Sequence, residues 1–235
     1  MKILIAIPVY NEEKILKTNI LKIVDFCKNN LKIDWQIVIA DNKSNDQTGI
    51  IAKNLAGSIA QVEYLFVGIK GKGAAIRQAW KSYHADIYCF MDADLATDLL
   101  ALPNLIDEIA LGNDLVIGSR FHPQSSYKRS LARKFFSLGY RIVLKIILNL
   151  GIKDAPCGFK AISSKVKQEI LPLVKDDKWF FDSELLILSK AKGFSIKEIP
   201  VTWADPREGN DKSKVKTLAL SWSYFKKVLE LKKRI

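Results

Sequence analysis

Short apolar runs separated by helical stretches constrain this chain more than any other feature. Lys2–Val9, Trp35–Ala40, Asp86–Met91 and Asp114–Gly118 are each rich in Ile, Val or aromatic residues, and Gln61–Val67 adds a fifth. A run apolar at almost every position reads as a strand buried on both faces. Strands of this kind alternating with helices predict βαβ units in a doubly wound, mostly parallel sheet. In such a sheet ligands bind beyond the carboxyl ends of the strands, so polar residues matter most there.

Three of the predicted strands deliver carboxylates and amides to that edge: Pro8-Val9-Tyr10-Asn11-Glu12-Glu13, Asp41-Asn42-Lys43-Ser44-Asn45-Asp46 and Asp92-Ala93-Asp94. Asn, Asp and Ser also favour turns and helix caps, so each segment alone has an ordinary explanation. Their joint placement favours a binding edge. A pair of carboxylates separated by one small residue suits Mg²⁺ or Mn²⁺, which takes a few carboxylate oxygens and completes its shell with diphosphate and water. An Asp-x-Asp by itself is equally well an exposed turn.

Gly68 and Gly71-Lys72-Gly73 precede a predicted helix, Ala74–Ser82. The segment reads either as an anion site at a helix N-terminus or as a glycine turn. Neither G-x-x-x-x-G-K-[ST] nor a G-x-G-x-x-G after the first strand occurs, which argues against nucleoside-triphosphate hydrolysis and dinucleotide binding.

The second half is less regular. A basic helical stretch is predicted at Tyr127–Leu150, a compact segment at Asp154–Ile162, a helix at Phe181–Lys192, a strand at Ile196–Trp203, a polar loop at Asp205–Ser213 and a last helix at Lys216–Lys233. Arg129, Arg133, Ser137 and Arg141 recur every four residues, so neighbours share a helix face. That row is a phosphate site or a solvated basic face.

The 235 residues suit one α/β domain, and 49% hydrophobic with 26% charged residues is a globular composition. The formal charge of +12 calls for an anionic partner. Nucleic acid is not expected, because no aromatic-basic RNA motif or recognition helix appears. Cys27, Cys89 and Cys157 lack metal spacing and read as small core hydrophobes in a reducing compartment. His84 and His122 are read as structural. No run approaches the ~20 apolar residues of a membrane span. A cytoplasmic chain peripheral to the membrane is expected. Leu218, Trp222, Phe225 and Leu229 line one face of the last helix with Lys227 and Arg234 opposite, which suits either an anionic membrane surface or packing onto the domain. Residues 1–215 are read as the main domain and 216–235 as this amphipathic tail.

Taken in order, Pro8-Val9-Tyr10-Asn11-Glu12, Ala40 to Thr48, Gly71-Lys72-Gly73, Met91-Asp92-Ala93-Asp94 and Gly118-Ser119-Arg120-Phe121 resemble the family 2 glycosyltransferases over nearly the whole chain. Asp154 to Lys160, Phe181 to Leu186 and Ser213 to Lys216 are similar to the polyprenyl-phosphate branch, which includes dolichyl-phosphate glucosyl- and mannosyltransferases.

The resemblance implies a GT-A (Rossmann-like) fold and an inverting transfer of a hexose from a nucleotide diphosphate sugar to a polyprenyl phosphate. Pro8, Tyr10, Asn11, Glu12, Asp41 and Lys72 would contact the donor. Asp92 and Asp94 would hold the metal, and Arg120 would join them in catalysis. Arg133, Ser137, Arg207 and Lys214 would meet the acceptor phosphate, and Asp182 and Glu184 are the nearest candidates for a base. Ala96 stands where the mannosyltransferases often carry a metal-binding Gln, so UDP-glucose is favoured over GDP-mannose. Transfer to a sugar hydroxyl, a sugar nucleotidyltransferase and a non-catalytic membrane adaptor are the alternative readings. The nucleotidyltransferase is disfavoured because Pro8-Val9-Tyr10-Asn11 offers no glycine after the first strand.

Overall fold

The computed structural model describes residues 1–127, 151–204 and 226–235. Its centre is a seven-stranded sheet. The strands are β1 (Lys2–Val9), β2 (Asp34–Asp41), β3 (Val62–Phe66), β4 (Ile87–Met91), β5 (Leu115–Ser119), β7 (Phe159–Ser163) and β8 (Ile196–Pro200), in the spatial order β3-β2-β1-β4-β7-β5-β8. A two-stranded ribbon joins β6 (Ser126–Tyr127) to β9 (Thr202–Trp203). The sheet is accompanied by helices α1 (Leu16–Asn30), α2 (Thr48–Ser58), α3 (Lys72–Ser82), α4 (Leu102–Ala110), α5 (Ser164–Glu169) and α6 (Phe181–Ala191).

Alternation along β1 explains the layering. Ile3, Ile5 and Ile7 pack into one core with Leu16, Ile20 and Ile23 of α1 and Leu105 of α4. Leu4 and Ala6 face the other, with Trp80 of α3 and Phe181 of α6. Both faces are therefore sealed, and an unbroken apolar run is what such a strand requires. Trp80 is fully buried, and its indole N–H still donates to the Cys89 carbonyl at 3.2 Å. All three cysteines are free and buried, in line with their reading as core residues.

Two elements differ from the sequence expectation. The compact segment at Asp154–Ile162 ends in β7, which runs antiparallel between β4 and β5. The strand expected at Ile196–Trp203 breaks at Val201 into β8 and β9, since the Val201 N–H donates to the Ser125 hydroxyl at 3.0 Å and its carbonyl accepts from the Ser126 N–H at 3.3 Å. In the tail, residues 226–232 are helical, with Val228 and Leu231 buried in the core beside α3 and α6. Lys227 pairs with Asp176, and Arg234 with Glu184 at 2.5 Å. The described part of the tail thus packs onto the domain through residues expected on its polar face, while Leu229 is exposed. Leu218, Trp222 and Phe225 lie outside the described residues. Among the described residues no helix is long and apolar enough to cross a membrane.

Candidate functional site

From β1 the chain builds outward to β2 and β3, then returns to β4 on the other side, so the order in which strands are added reverses between the parallel neighbours β1 and β4. Ligand crevices open at such a reversal. Val9 lies beside Asp41 in the β1–β2 register, and Ala6 lies beside Phe90 in the β1–β4 register. The ends of β1, β2 and β4 consequently converge, and they carry Pro8, Tyr10, Asn11 and Glu12, then Asp41, then Asp92 and Asp94.

The β1–β2 corner is tightly bonded. Asn11 has a φ of 55°, which asparagine tolerates better than most residues. Its backbone N–H donates to the Ser44 hydroxyl at 3.0 Å, and its side-chain oxygen accepts from the Asn45 N–H at 3.0 Å. The Glu12 N–H donates to the Thr48 hydroxyl at 2.8 Å. Asp41 is buried and accepts from the Ser44 N–H at 3.0 Å and the Tyr64 hydroxyl at 3.2 Å. Burial first, then the Asp41 charge and hydrogen bond, push the Tyr64 phenol up to about 12. Lys70 reaches the Tyr10 hydroxyl at 3.3 Å and lies over its ring. Asn42 ties the glycine segment to this corner, donating to the Ile69 carbonyl at 2.7 Å and accepting from the Gly71 N–H.

After β4 the chain turns sharply. The Leu95 N–H donates to the Asp92 carbonyl at 3.3 Å with Leu95 at φ 52°, and the Ala96 N–H donates to Asp94 Oδ1 at 3.1 Å. The Asn19 amide of α1 anchors the turn on the Ala93 carbonyl at 2.8 Å. Asp92 emerges with its side chain 42% exposed. Gly158 passes directly behind it, so close that an added Cβ would lie 2.0 Å from Asp92 Oδ2. Only glycine permits that approach. Among the described residues no cluster of three carboxylate, thiol or imidazole ligands occurs. A divalent cation held at these two aspartates would therefore take the rest of its shell from diphosphate and water.

A buried ionic chain stands next to Asp92. Lys72 Nζ is 2.7 Å from Asp92 Oδ1 and 3.6 Å from Asp182 Oδ2. Asp182 Oδ1 is 2.6 Å from Nζ of the fully buried Lys160, which also donates to the Cys157 carbonyl. Burial works against the charge on Lys72, but Asp182 and then Asp92 outweigh it and raise the ammonium above its ordinary range. Burial pushes the Cys157 thiol up to about 12, which keeps it protonated. Arg120 grips Asp154 through Nε and Nη2, both at 2.7 Å, while its backbone N–H donates to the same carboxylate at 2.8 Å. Its guanidinium also lies over the Trp203 ring.

Of the two readings of the glycine segment, the structure favours the turn. The first amides of α3 are already spent, Gly73 N–H on the Lys178 carbonyl at 3.1 Å and Ala74 N–H on the Asp177 carbonyl at 2.9 Å. Gly71, at φ +145°, allows this docking, since a Cβ there would meet the Asp177 carbonyl at 1.9 Å. Lys72 accordingly offers its side chain to carboxylates. Arg120 has two of its donors committed to Asp154. Glu184 accepts from the Lys175 and Asp176 amides at 3.0 and 2.7 Å and from Arg234, which leaves it occupied as an anchor. Arg129, Arg133, Ser137, Arg141, Arg207 and Lys214 lie outside the described residues. His122 accepts from the Gln124 N–H at 3.3 Å within a surface turn.

The sequence placed Asn42 at the polar edge but assigned no role to Asn19, Gly158 or Trp179. Trp179 is 46% exposed, with Lys72 Nζ 5.5 Å from its ring. An exposed indole beside a predicted helix start gave a usable signal. The roles of Asn19 and Gly158 had none, since each depends on a partner far away in sequence.

Comparison with known proteins agrees with this architecture. The model of the family described as Glycosyl transferase family 2 matches residues 4–171. Glycosyltransferase AglD of Haloferax volcanii is 28% identical over 206 residues, covering 86% of this chain and 33% of that protein. The dolichyl-phosphate beta-glucosyltransferase of Saccharomyces cerevisiae is 31% identical over 219 residues, covering 85% of this chain and 66% of its own length. The dolichol-phosphate mannosyltransferase of Pyrococcus furiosus is 29% identical over 236 residues, covering 99% of this chain and 64% of its own. The chain thus spans between a third and about two thirds of these curated relatives. Glucosyl-3-phosphoglycerate synthase from Mycobacterium tuberculosis, solved with Mn²⁺, uridine-diphosphate and phosphoglyceric acid, superposes with a TM-score of 0.75 at 17% identity, over 98% of this chain and 78% of that one. That likeness bears out the GT-A fold. With the family model spanning the sheet from β1 to the turn after α5, the chain belongs to glycosyl transferase family 2.

Proposed function

We propose that this chain transfers a hexose from a nucleotide diphosphate sugar to a polyprenyl phosphate, with inversion, and that the donor is UDP-glucose. The observation that carries the reading is the convergence of Tyr10, Asp41 and Asp92 on the crevice where the strand order reverses. Support for the acceptor class comes from relatives named for dolichyl phosphate. Ala96, where mannosyltransferases of the resembling branch often carry Gln, favours glucose.

In this mechanism the β1–β2 corner orients the nucleotide, and Asp92 and Asp94 hold Mg²⁺ or Mn²⁺ at its diphosphate. The cation, when bound, offsets the charge that builds on the leaving diphosphate. An acceptor phosphate oxygen attacks the anomeric carbon as the bond to the diphosphate oxygen breaks, and nucleotide diphosphate departs. That oxygen is already ionised near neutral pH, so no proton has to be removed. Asp182 suits this account, because both its oxygens face lysines. Arg133, Ser137, Arg207 and Lys214 are assigned to the acceptor phosphate, whose oxygens suit arginine's planar fork. Peripheral contact with an anionic membrane surface on the cytoplasmic side would bring the lipid to them.

The test is a screen of UDP-glucose and GDP-mannose against polyprenyl phosphate and a simple sugar alcohol, with Mn²⁺ and with chelator. Mn²⁺-dependent β-glucosylation of the lipid phosphate is expected, abolished by Asp92→Asn or Asp94→Asn. Transfer only to the sugar alcohol, or full activity in chelator, would refute the reading.

A further inference from the structure

Lys72 stands where its role and that of the metal collide. Its ammonium is 2.7 Å from Oδ1 of Asp92, a carboxylate proposed above for a divalent cation. A lysine at ion-pair distance competes with a cation for that carboxylate, since both are held by the same charge. Yet Lys72 is nearly buried, with its side chain 8% exposed, and a buried ammonium left without a partner is strongly unfavourable.

Asp182 resolves the conflict. It lies 3.6 Å from the same ammonium and is itself buried. Lys160 fixes its other oxygen at 2.6 Å and is anchored in turn on the Cys157 carbonyl. Lys72 also lies over the Phe90 and Trp179 rings, at 5.1 and 5.5 Å. If Asp92 is withdrawn, Lys72 still has a carboxylate and two aromatic faces. Lys72 and Lys160 balance Asp92 and Asp182, and the single charge of Asp94 cannot offset a dication. A dication arriving alone upsets that balance. A dication arriving with a diphosphate brings its own compensating charge.

We propose that Lys72 is the resident counter-cation of Asp92, a positioning residue that holds the carboxylate when the diphosphate site is empty and makes binding of metal and diphosphate mutually dependent. The inference rests on the metal reading of Asp92 and Asp94 given above. In thermodynamic terms Lys72 lowers the affinity for metal alone and so increases the coupling between metal and nucleotide.

The experiment measures Mn²⁺ binding by electron paramagnetic resonance with the wild type, Lys72→Gln and Lys72→Arg, each with and without UDP. Lys72→Gln should bind Mn²⁺ alone roughly tenfold more tightly than the wild type. UDP should enhance that binding less than it does in the wild type, and Lys72→Arg should behave like the wild type. Lys160 still pairs with Asp182 in Lys72→Gln, so its melting temperature should stay close to wild type. A second measurement needs no substitution in the protein tested: adding Mg²⁺ with UDP should shift the Lys72 ammonium resonance, identified by its absence from Lys72→Arg. Unchanged or weaker Mn²⁺ binding by Lys72→Gln, or an ammonium resonance indifferent to Mg²⁺ and UDP, overturns the proposal. Mn²⁺-dependent transfer by the wild type would survive that result, so the two readings fail separately.

Discussion

Arg120 and Asp154 meet as a two-pronged pair, Nε to Oδ2 and Nη2 to Oδ1 both at 2.7 Å, with 9% and 0% of their side chains exposed. The Asp154 carboxylate also accepts the Arg120 backbone N–H, so one residue fixes both the strand end and the side chain. Burial opposes the charge on Arg120, and Asp154 outweighs it, raising the guanidinium above its ordinary range. Removing one partner strands the other. Arg120→Met and Asp154→Leu should each lower stability by about 3 kcal/mol, whereas the double variant Arg120→Met/Asp154→Leu should lose less than the two singles together. Urea unfolding of the four proteins checks this, and additive losses would show that the pair is not coupled.

Gly158 makes room for Asp92. A methyl group at its Cβ position would fall 2.0 Å from Asp92 Oδ2 and 2.9 Å from Lys72 Nζ, so the carboxylate must swing away in Gly158→Ala. Asp92 is half exposed and can move without unpacking the core. Transfer should therefore drop by roughly a hundredfold in kcat/KM, in keeping with misplacement by about 1 Å, while the melting temperature changes little. Steady-state kinetics with a thermal melt separates these outcomes.

Asp182 should prove structural in its charge. Asp182→Asn leaves the buried Lys160 facing an amide and the Cys157 carbonyl, and a loss of about 3 kcal/mol is expected. Activity per folded molecule should remain measurable, because an amide cannot act as a base and none is required. Complete loss of turnover in a protein that still melts cooperatively would assign Asp182 to the chemistry.

Asp46 should make part of the stability depend on pH. Burial tends to raise its pKa, but hydrogen bonds from the Thr48 hydroxyl and from the Thr48 and Glu13 amides outweigh that and hold it below the ordinary carboxylate range. A folded pKa below the unfolded value stabilises the protein above the unfolded pKa of about 3.9, and the gain disappears as pH falls through the folded pKa. Asp46→Ala should cost about 1 kcal/mol at pH 7. The difference between variant and wild type should shrink as the medium becomes strongly acidic, which denaturant titrations at several pH values would show.

The apolar runs alone marked out the strands and the edge where their polar ends gather. A strand buried on both faces must be apolar throughout, so β1, β2 and β4 declared themselves, and the polar residues that end them had nowhere else to go than the crevice. The sequence also offered Asp92 and Asp94 as candidates for a divalent cation, because two carboxylates one residue apart can be read from the chain alone. Tertiary structure decided what depends on distant partners. β7 was not legible as an antiparallel strand, since its place between β4 and β5 is set by pairing rather than by its own five residues. The glycine segment read as an anion site or a turn until the carbonyls of Asp177 and Lys178 took its amides from more than a hundred residues away. Lys72 read as a donor contact until the fold set it between Asp92 and Asp182. A charge shows its sign in the sequence, but its partner is chosen only when the chain closes around it.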